Sequence, residues 1–351
     1  MTRRKRIALW VLSLLMLAAG SAALVLSHDS PCGVAPPLAA GAESMQAIVY
    51  RCYGPPDVIE LEAIAKPVPN ADQVLVKVRA AAVNPLDWHY LRGTPYIMRM
   101  GTGLGAPDEA SLGVDFAGTV EAVGANVQNF KAGDDVFGGR SGAFAEYVVV
   151  RADRALAHKP ANMSFEQAAA VPIAGVTALQ ALRDQGHVQA GQKVLINGAS
   201  GGVGTFAVQI AKSMGAEVTG VCSTRNVDLV RSLGADQVID YTQQDFAQGG
   251  AKYDVILDMV GNRSLSELRS ALLPTGTLVI VGGPNEDPWL GPLTGAIKAS
   301  LLSVFVSQNM SMFMAELNPS DLDALGALMQ AGTLTPVIDR RFRLAEVPAA
   351  I

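Results

Sequence analysis

Short apolar runs alternate with helix-compatible stretches through the second half of the chain. The runs lie at residues 193–197, 217–221, 237–240, 253–258 and 277–281. Stretches compatible with helices, at residues 205–214, 226–233 and 265–273, separate them. Strands that alternate with helices in this way predict an α/β fold with a doubly wound parallel sheet. Closer to the end, residues 322–329 are typical of a helix and residues 335–339 of a strand.

The turn after the first run carries a dinucleotide-binding fingerprint, with Ala199, Gly201 and Gly204 in the positions of its small residues. Gly201 lets the backbone approach a pyrophosphate, and Gly204 lets the following helix pack close to the strand. The free N–H groups and the positive dipole end of that helix then hold the phosphates. The predicted pyrophosphate contacts are Ser200, Gly201, Gly202, Val203 and Gly204.

The end of the second strand indicates which dinucleotide is bound. An NAD-specific site places Asp or Glu about 20 residues after the glycines, on the ribose 2′-hydroxyl. Here that position is Ser223, and Arg225 follows it. A hydroxyl with a guanidinium suits a 2′-phosphate. The pattern therefore predicts NADPH, and the alternative is that Arg225 is an ordinary solvated charge.

Further cofactor contacts are expected where later strands end, because open α/β sheets bind ligands at the carboxyl ends of their strands. Tyr241 is a candidate beside the adenosine, with ordinary packing as its alternative. The remaining candidates at strand ends are Val260, Gly282 and Gly283.

Residues 45 to about 157 have a different pattern, in which short β-prone runs are separated by turns with Gly and Pro. This pattern predicts a small, β-rich, barrel-like domain ahead of the nucleotide-binding sheet.

The chain begins with a basic and then apolar segment. Arg3, Arg4, Lys5 and Arg6 precede an uncharged run over residues 7–26. As a helix this run is about 30 Å long, which matches the hydrocarbon core of a bilayer. Residues 28–44 are rich in Pro, Gly and Ala and are typical of a linker. We therefore expect an N-terminal hydrophobic helix that is a single-pass membrane anchor.

Alternatives to an uncleaved anchor stay open. The leader is also compatible with a cleaved export signal, and a true start at Met45 would leave a cytoplasmic protein. The basic leader places the rest of the chain outside the cytoplasm by the positive-inside rule, whereas NADPH belongs in the cytoplasm. The sequence leaves this conflict open.

Composition excludes several classes of protein. The chain of 351 residues has 27 basic and 32 acidic residues, and its net charge of −5 argues against a nucleic-acid partner, which needs a basic face. Its three cysteines, Cys32, Cys52 and Cys222, form no CxxC motif. They exclude a disulfide scaffold and a cysteine-rich zinc module.

Four motifs stand in a specific order along the chain. They are Val-Asn-Pro-Leu-Asp at 83–87, Leu-Gly-Val-Asp-Phe-Ala-Gly at 112–118, Val-Gly at 123–124 and Asn-Gly-Ala-Ser-Gly-Gly-Val-Gly at 197–204. In this order they resemble the medium-chain dehydrogenase/reductase superfamily, most closely its zinc-independent quinone oxidoreductase branch. The resemblance covers about residue 45 to the end.

The resemblance implies a division of the chain into parts. A leader, anchor and linker at 1–44 precede a GroES-like catalytic domain at 45–165 and a Rossmann NADPH-binding domain at 166–306, with the active-site cleft between the two domains. Residues 307–351 return to the catalytic domain. Relatives continue beyond this point with a helix and a final strand, so the resemblance implies a truncated end. It also implies a homodimer.

The resemblance further implies a site without metal. Zinc-dependent relatives have Cys where this chain has Asn84 and His where it has Val114. Without these ligands no catalytic zinc is expected. Hydride transfer then requires an acceptor that stabilises its own negative charge, and quinones and α,β-unsaturated carbonyl compounds are such acceptors.

Family positions suggest roles for three residues. Asn84 resembles an active-site asparagine that positions the substrate or the nicotinamide ribose. His89 stands where related quinone reductases often carry tyrosine, and it is the candidate proton donor, with a structural histidine as the equal alternative. Thr177 matches a position beside the nicotinamide.

The leading hypothesis is an NADPH-dependent, zinc-free reductase of quinones or α,β-unsaturated carbonyl compounds. One alternative is a non-catalytic, membrane-tethered redox sensor or scaffold that binds NADPH, and another is an enoyl-thioester reductase. Turnover separates the first alternative from the leading hypothesis, and acceptor preference separates the second.

Overall fold

The computed structural model describes residues 3–284, 287–291, 293–303 and 306–351. The strands are β1 (Ser44–Tyr50), β2 (Ile59–Ala65), β3 (Gln73–Ala82), β4 (Asp115–Val123), β5 (Asp135–Gly139), β6 (Tyr147–Arg151), β7 (Leu156–His158), β8 (Lys193–Asn197), β9 (Glu217–Cys222), β10 (Gln237–Asp240), β11 (Tyr253–Asp258), β12 (Leu272–Ile280) and β13 (Asn309–Met312). The helices are α1 (Arg3–Ser27), α2 (Pro85–Arg92), α3 (Arg99–Thr102), α4 (Phe165–Ala169), α5 (Pro172–Gln180), α6 (Gly202–Ser213), α7 (Val227–Ser232), α8 (Leu265–Ala271), α9 (Leu293–Ser303), α10 (Pro319–Gln330) and α11 (Val347–Ala350).

The second half of the chain forms a parallel sheet in the order β10-β9-β8-β11-β12-β13. Counted from β8, this is the 3-2-1-4-5-6 order of a doubly wound sheet, with its switch point between β8 and β11. Val194, Leu195 and Ile196 of β8 are fully buried, because helices cover both faces of such a sheet. The predicted parallel α/β sheet is confirmed.

The β-rich part contains an antiparallel sheet in the order β6-β3-β4-β5-β7 and the separate pair β1-β2. Alternate residues of β3 and β4 enter a core with Val136 of β5, so that Val74, Val76 and Phe116 are buried. This arrangement confirms the predicted β-rich domain.

The predicted strand at 335–339 is wrong. Among the described residues, this segment has no regular secondary structure and lies in no sheet. The side chain of Gln209 on α6 takes the place of a neighbouring strand. Its Oε1 accepts the Thr335 N–H at 2.8 Å, and its Nε2 donates to the Thr335 carbonyl at 3.1 Å.

The expected membrane anchor is corrected by the structure. Residues 3–27 are helical, but across the described part of the chain no helix is both long enough and apolar enough to span a membrane. The end of α1 is bound by the β-rich domain instead, since Arg99 Nη1 donates to the carbonyls of Leu26 and His28, both at 3.0 Å.

A disulfide bond between Cys32 and Cys52 joins the segment after α1 to the turn that follows β1, across 20 positions of sequence. Close by, Arg99 is buried and pairs with Asp29 at 2.9 Å. Sequence reasoning excluded a disulfide scaffold and overlooked this single cross-link. The N-terminal segment is therefore held to the β-rich domain by a covalent bond, a buried guanidinium and backbone hydrogen bonds such as that from the Ser30 N–H to the Gly105 carbonyl at 2.8 Å.

The segment before α3 contacts the connection between β12 and α9 of the parallel-sheet part. The Tyr96 N–H donates to the Pro288 carbonyl at 2.7 Å, and the Ile97 N–H donates to the Trp289 carbonyl at 3.3 Å. The rings of Tyr96 and Trp289 meet edge to face with centroids 5.1 Å apart. This loop bridges the two parts of the molecule.

Candidate active site

The glycine-rich turn lies after β8, beside the switch point of the parallel sheet. Gly201 caps α6. A Cβ on Gly204 would lie 2.1 Å from the Gly198 carbonyl oxygen, whereas a Cβ on Gly202 would meet nothing nearer than the Ala174 Cβ at 4.0 Å. Only glycine at 204 therefore lets α6 approach β8 this closely, and the start of the helix is open on its other side. The first N–H groups of α6 have no partner within the helix and suit phosphate oxygens.

The turn after β9 is tied to this first turn by a side chain that sequence reasoning did not single out. Asn226 donates its Nδ2 to Ser200 Oγ at 3.0 Å and to Ser223 Oγ at 3.3 Å. Arg225 is exposed, and within the described residues no carboxylate pairs with it. Asn226 thus joins Ser200 to Ser223, which were predicted from separate motifs, and Arg225 is the residue before it. The sequence does contain one indication of this role, because Asn226 follows Ser223 by three residues and its amide can bond to that hydroxyl.

The edge strand β10 ends in a carboxylate beside this region. Asp240 accepts from Thr224 Oγ1 at 2.6 Å and from Thr242. The Thr224 hydrogen bond lowers the pKa of Asp240, against a smaller effect of burial. Tyr241 follows it, about half exposed, and its N–H donates to the Cys222 carbonyl at 3.1 Å. Tyr241 therefore lies at the same end of the sheet as Ser223.

The later strand ends are held together by Asp258, another residue that sequence reasoning did not assign to the site. Its Oδ1 accepts from Asn197 Nδ2 at 2.8 Å and from the Val260 N–H at 3.2 Å. Its carbonyl accepts the Gly282 N–H at 3.2 Å. A Cβ on Gly198 would lie 2.9 Å from Val260. Val260 and Gly282 are thus beside the glycine-rich turn, and Gly283 continues the same loop.

On the β-rich side, Asn84 caps α2 and is held by two buried carboxylates. Its backbone N–H donates to Asp87 Oδ2 at 2.7 Å. Its side-chain Nδ2 donates to Asp115 Oδ2 at 3.1 Å and lies 3.4 Å from the Ala82 carbonyl. Asp87 and Asp115 have no exposed surface, and Asn84 is 8% exposed. Because Nδ2 is committed to these acceptors, the oxygen is the remaining polar atom of the amide, and the side chain caps the first turn of α2.

Asp115 also binds the start of α5. Its Oδ1 and Oδ2 lie 3.2 and 3.0 Å from the Ile173 N–H. Thr177 lies one turn further along this helix, and Ala174 adjoins the open face of Gly202. The carboxylate therefore joins the Asn84 side to the Thr177 side of the predicted site.

His89, on α2 with Asn84 at its cap, is partly buried. Its Nδ1 lies 2.6 Å from the Thr94 carbonyl oxygen, which can only accept. The hydrogen bond therefore requires a proton on Nδ1 and leaves Nε2 as an acceptor in the neutral ring. Only the doubly protonated imidazole has a second N–H to donate, so the geometry is compatible with both predicted roles of His89.

A cavity of about 740 Å³ opens elsewhere, between β3 and residues 337–350. None of the predicted site residues lines it. The cavity is therefore away from the cofactor turn, but it reaches Val83, the residue before Asn84.

Comparisons with known proteins identify the class. A family model described as alcohol dehydrogenase GroES-like domain matches residues 70–161, and one described as zinc-binding dehydrogenase matches residues 233–351. The chain is 34% identical over 330 residues to the quinone oxidoreductase of Pongo abelii, covering 89% of this chain and 94% of that protein. It is also 34% identical over 314 residues to the NADPH-dependent alkenal/one oxidoreductase, chloroplastic, of Arabidopsis thaliana, covering 85% and 72%.

Structural comparison agrees. The structure of the quinone oxidoreductase from Coxiella burnetii matches with a TM-score of 0.77 and 32% identity, covering 88% of this chain and 94% of that one. A GroES-like domain joined to a Rossmann-like parallel sheet defines an oxidoreductase of the medium-chain type. The chain belongs to the medium-chain dehydrogenase/reductase superfamily, and within it is quinone oxidoreductase-like.

The description of one family model speaks of zinc, but the residues present do not fit that metal. Zinc requires three or four N, S or O ligands. Across the described residues, no group of three or more His, Cys, Asp and Glu side chains could hold a metal ion. At the position predicted to have lost its zinc ligands, the oxygens of Asp115 are already bound by Asn84 and Ile173.

Proposed function

We propose that this protein is an NADPH-dependent, zinc-free reductase that transfers hydride to quinones or α,β-unsaturated carbonyl compounds. The observation that carries the proposal is the hydrogen-bonded unit of Ser200, Asn226 and Ser223, which ties the turn that carries Arg225 to the glycine-rich turn. The acceptor class rests on the quinone and alkenal/one oxidoreductases to which the chain is 34% identical.

The chain has a group for each part of NADPH. The open start of α6 binds the pyrophosphate through N–H groups. Ser223 and Arg225 bind the 2′-phosphate, since a guanidinium and a hydroxyl are good partners for phosphate oxygens. Tyr241 lies against the adenosine, and Thr177, Val260, Gly282 and Gly283 surround the nicotinamide end. NADPH, when bound, supplies a hydride.

The residues on the β-rich side orient the reaction. The Asn84 amide oxygen accepts a hydrogen bond from the substrate or the nicotinamide ribose, and orientation of this kind lowers the barrier without any metal. The acceptor must delocalise its own negative charge, because no metal fits the site. His89 supplies a proton from Nε2 when its ring is doubly protonated, with Nδ1 hydrogen-bonded to the Thr94 carbonyl.

We also propose that the protein is a homodimer, and light scattering of the full chain in solution tests this.

The test is turnover by the full chain. NADPH oxidation is followed by absorbance with a benzoquinone, an α,β-unsaturated ketone and an enoyl thioester, with NADH in parallel. We expect oxidation with the quinone or the ketone, and a strong preference for NADPH. Binding without turnover on any acceptor would contradict the proposal and favour the sensor or scaffold. Turnover with the thioester alone would favour the enoyl-thioester reductase.

A matched pair of variants tests the role of Asn84. Asn84→Ala is expected to lower kcat by roughly ten- to hundred-fold, because the reacting groups lose orientation. Asn129→Ala removes an asparagine whose amide donates to the Ala152 carbonyl at an exposed site, and it should leave turnover unchanged. Equal kcat values for the two variants would show that Asn84 takes no part in the reaction.

A further inference from the structure

We propose that Asp115 is a positioning residue, which fixes the Asn84 amide and the start of α5 in one arrangement through a single buried carboxylate. The inference rests on the proposed function, in which Asn84 orients the reactants. It adds a residue that touches neither substrate nor cofactor and acts through Asn84.

The first step concerns the orientation of the amide. An asparagine side chain can be rotated so that its oxygen and nitrogen exchange places, at little cost in shape. The Ala82 carbonyl can only accept, and Asp115 Oδ2 accepts from Asn84 Nδ2, so together they select the orientation in which Nδ2 faces them. The Asn84 oxygen then points away from both acceptors. Asp115 therefore determines that Asn84 presents an acceptor, not a donor, to its ligand.

The second step concerns the other partner of the carboxylate. The Ile173 N–H is in the first turn of α5, where helix N–H groups lack internal partners and the dipole favours a negative charge. Asp115 satisfies this N–H across 58 positions of sequence. Since Thr177 is on the same helix, one carboxylate sets both the amide of Asn84 and the placement of the helix that carries Thr177.

The surroundings leave the carboxylate little freedom. Asp115 is fully buried at the first position of β4, and it pairs with Ala82 and Gly139 on the two neighbouring strands. Burial raises the pKa of Asp115, and the donors at Ile173 and Asn84 oppose this effect. Its hydrogen bonds are with donors, the Asn84 amide and the Ile173 N–H. An asparagine at 115 would keep the shape but would place its own N–H₂ against either Asn84 or Ile173.

A double-mutant cycle separates positioning from a purely structural role. Asp115→Asn, Asn84→Ala and the double variant are compared for kcat and for the Kd of NADPH. We expect Asp115→Asn to lower kcat by roughly ten- to hundred-fold in the wild-type background. In the Asn84→Ala background we expect a further loss below about three-fold, because the amide that Asp115 orients is already absent and only its bond to the start of α5 remains to be lost. The Kd of NADPH should change by less than about three-fold in each variant, since the cofactor turn is not altered.

A matched control is Asp321→Asn, which changes another buried aspartate, paired with Arg183 and Gln180 away from Asn84. It should lower the melting temperature and leave kcat unchanged. If Asp115→Asn does not fold, Asp115→Glu keeps the charge and moves the oxygens by one methylene, and the same non-additive loss of kcat is expected. Equal losses in both Asn84 backgrounds, or no loss from Asp115→Asn, would overturn the inference.

A spectroscopic readout keeps the test independent of turnover. In protein labelled with ¹⁵N-asparagine, the side-chain amide signals of Asn84 are identified by their absence in Asn84→Ala. We expect Asp115→Asn to shift them, whereas Asp321→Asn should not. If the wild type shows no turnover but these signals shift, the proposed function fails while the control of the amide by Asp115 stands. Unchanged signals would overturn the inference even in an active enzyme.

Discussion

Asn226 donates its side-chain amide to Ser200 Oγ at 3.0 Å, and this bond fixes the turn after β9 to the glycine-rich turn after β8. The same amide donates to Ser223 Oγ at 3.3 Å. Arg225, the residue before it, is therefore carried on a turn that is ordered before any ligand arrives. Such preorganisation reduces the entropy that binding must remove. It makes Arg225 the residue through which the preference between NADPH and NADH can be tested.

Arg225→Ala is expected to raise the Kd of NADPH by roughly ten- to hundred-fold and to leave the Kd of NADH unchanged. A hydrogen bond to a charged group contributes about 1.5–3 kcal/mol, and only NADPH has the 2′-phosphate that receives it. Fluorescence titration with each cofactor measures the effect. Arg231→Ala is the control, because Arg231 is exposed on the neighbouring helix α7 and pairs with Asp228. Equal weakening of both cofactors by Arg225→Ala would refute the assignment.

Gly204→Ala and Gly202→Ala should differ in stability although they lie two residues apart. The new methyl at 204 would lie 2.1 Å from a backbone oxygen, while at 202 its nearest neighbour is 4.0 Å away. We expect Gly204→Ala to lower the free energy of unfolding by about 1–3 kcal/mol or more. Gly202→Ala should leave it unchanged or raise it by up to about 1 kcal/mol. Thermal unfolding without cofactor measures both, and equal melting temperatures would contradict the packing argument.

The sequence predicts the parts of this molecule that depend on neighbouring residues. The strand–turn–helix around Gly201 and Gly204 follows from glycine stereochemistry and apolar patterning, and the structure has it where expected. Ser223 was found by its distance along the chain from that turn. Asn226, three residues further on, was missed, because its role depends on a hydrogen bond to Ser200, 26 positions earlier in the chain.

Contacts between remote segments explain the other differences. The Ile173 N–H donates to Asp115, 58 positions away, and Arg99 donates to the Leu26 carbonyl, 73 positions away. Hydrogen bonds over such separations cannot be predicted from the residues next to either partner. The segment at 335–339 has the composition of a strand, but the side chain of Gln209 satisfies Thr335 in place of a neighbouring strand. The apolar leader predicted a membrane anchor, and this expectation was wrong.

Loss of the Cys32–Cys52 disulfide is expected to lower the free energy of unfolding by about 3 kcal/mol. The bond closes a loop of 20 positions, and cross-links of this size restrict the unfolded chain by about that amount. Denaturant unfolding compares the wild type with the variant carrying Cys32→Ser and Cys52→Ser. A reductant should bring the wild type to the stability of the double variant and should not affect that variant. If the reductant and the substitutions both leave the transition unchanged, the segment after α1 contributes nothing to the stability of the domain.

The pH dependence of stability offers a test of the carboxylate beneath Asn84. Asp87 is fully buried, its Oδ2 accepts the Asn84 N–H, and its Oδ1 has no partner. Burial raises the pKa of Asp87 from its ordinary 3.8 to about 7, and the N–H groups of Asn84 and Gly113 only partly oppose this. A protonated acid would give the buried oxygen a hydrogen in place of an unpaired negative charge.

Between pH 3.8 and about 7 the folded protein therefore keeps a proton that the unfolded chain releases, so this contribution to stability is complete below pH 3.8 and is lost as the pH rises to about 7. The change is on the order of 4 kcal/mol. Asp87→Asn imitates the protonated acid, and its stability relative to the wild type should rise across this interval and level off above it. Asp321→Asn is the control, and its effect on stability should depend on pH in the opposite direction.

Burial raises the pKa of Asp321, but hydrogen bonds from Arg183, Gln180 and Asn318 outweigh burial and lower it overall. The penalty of that variant should therefore be largest at neutral pH and should fade as the pH falls below 3.8. A constant difference between Asp87→Asn and the wild type, in denaturant unfolding from pH 4 to 8, would mean that Asp87 is ionised in the folded protein throughout.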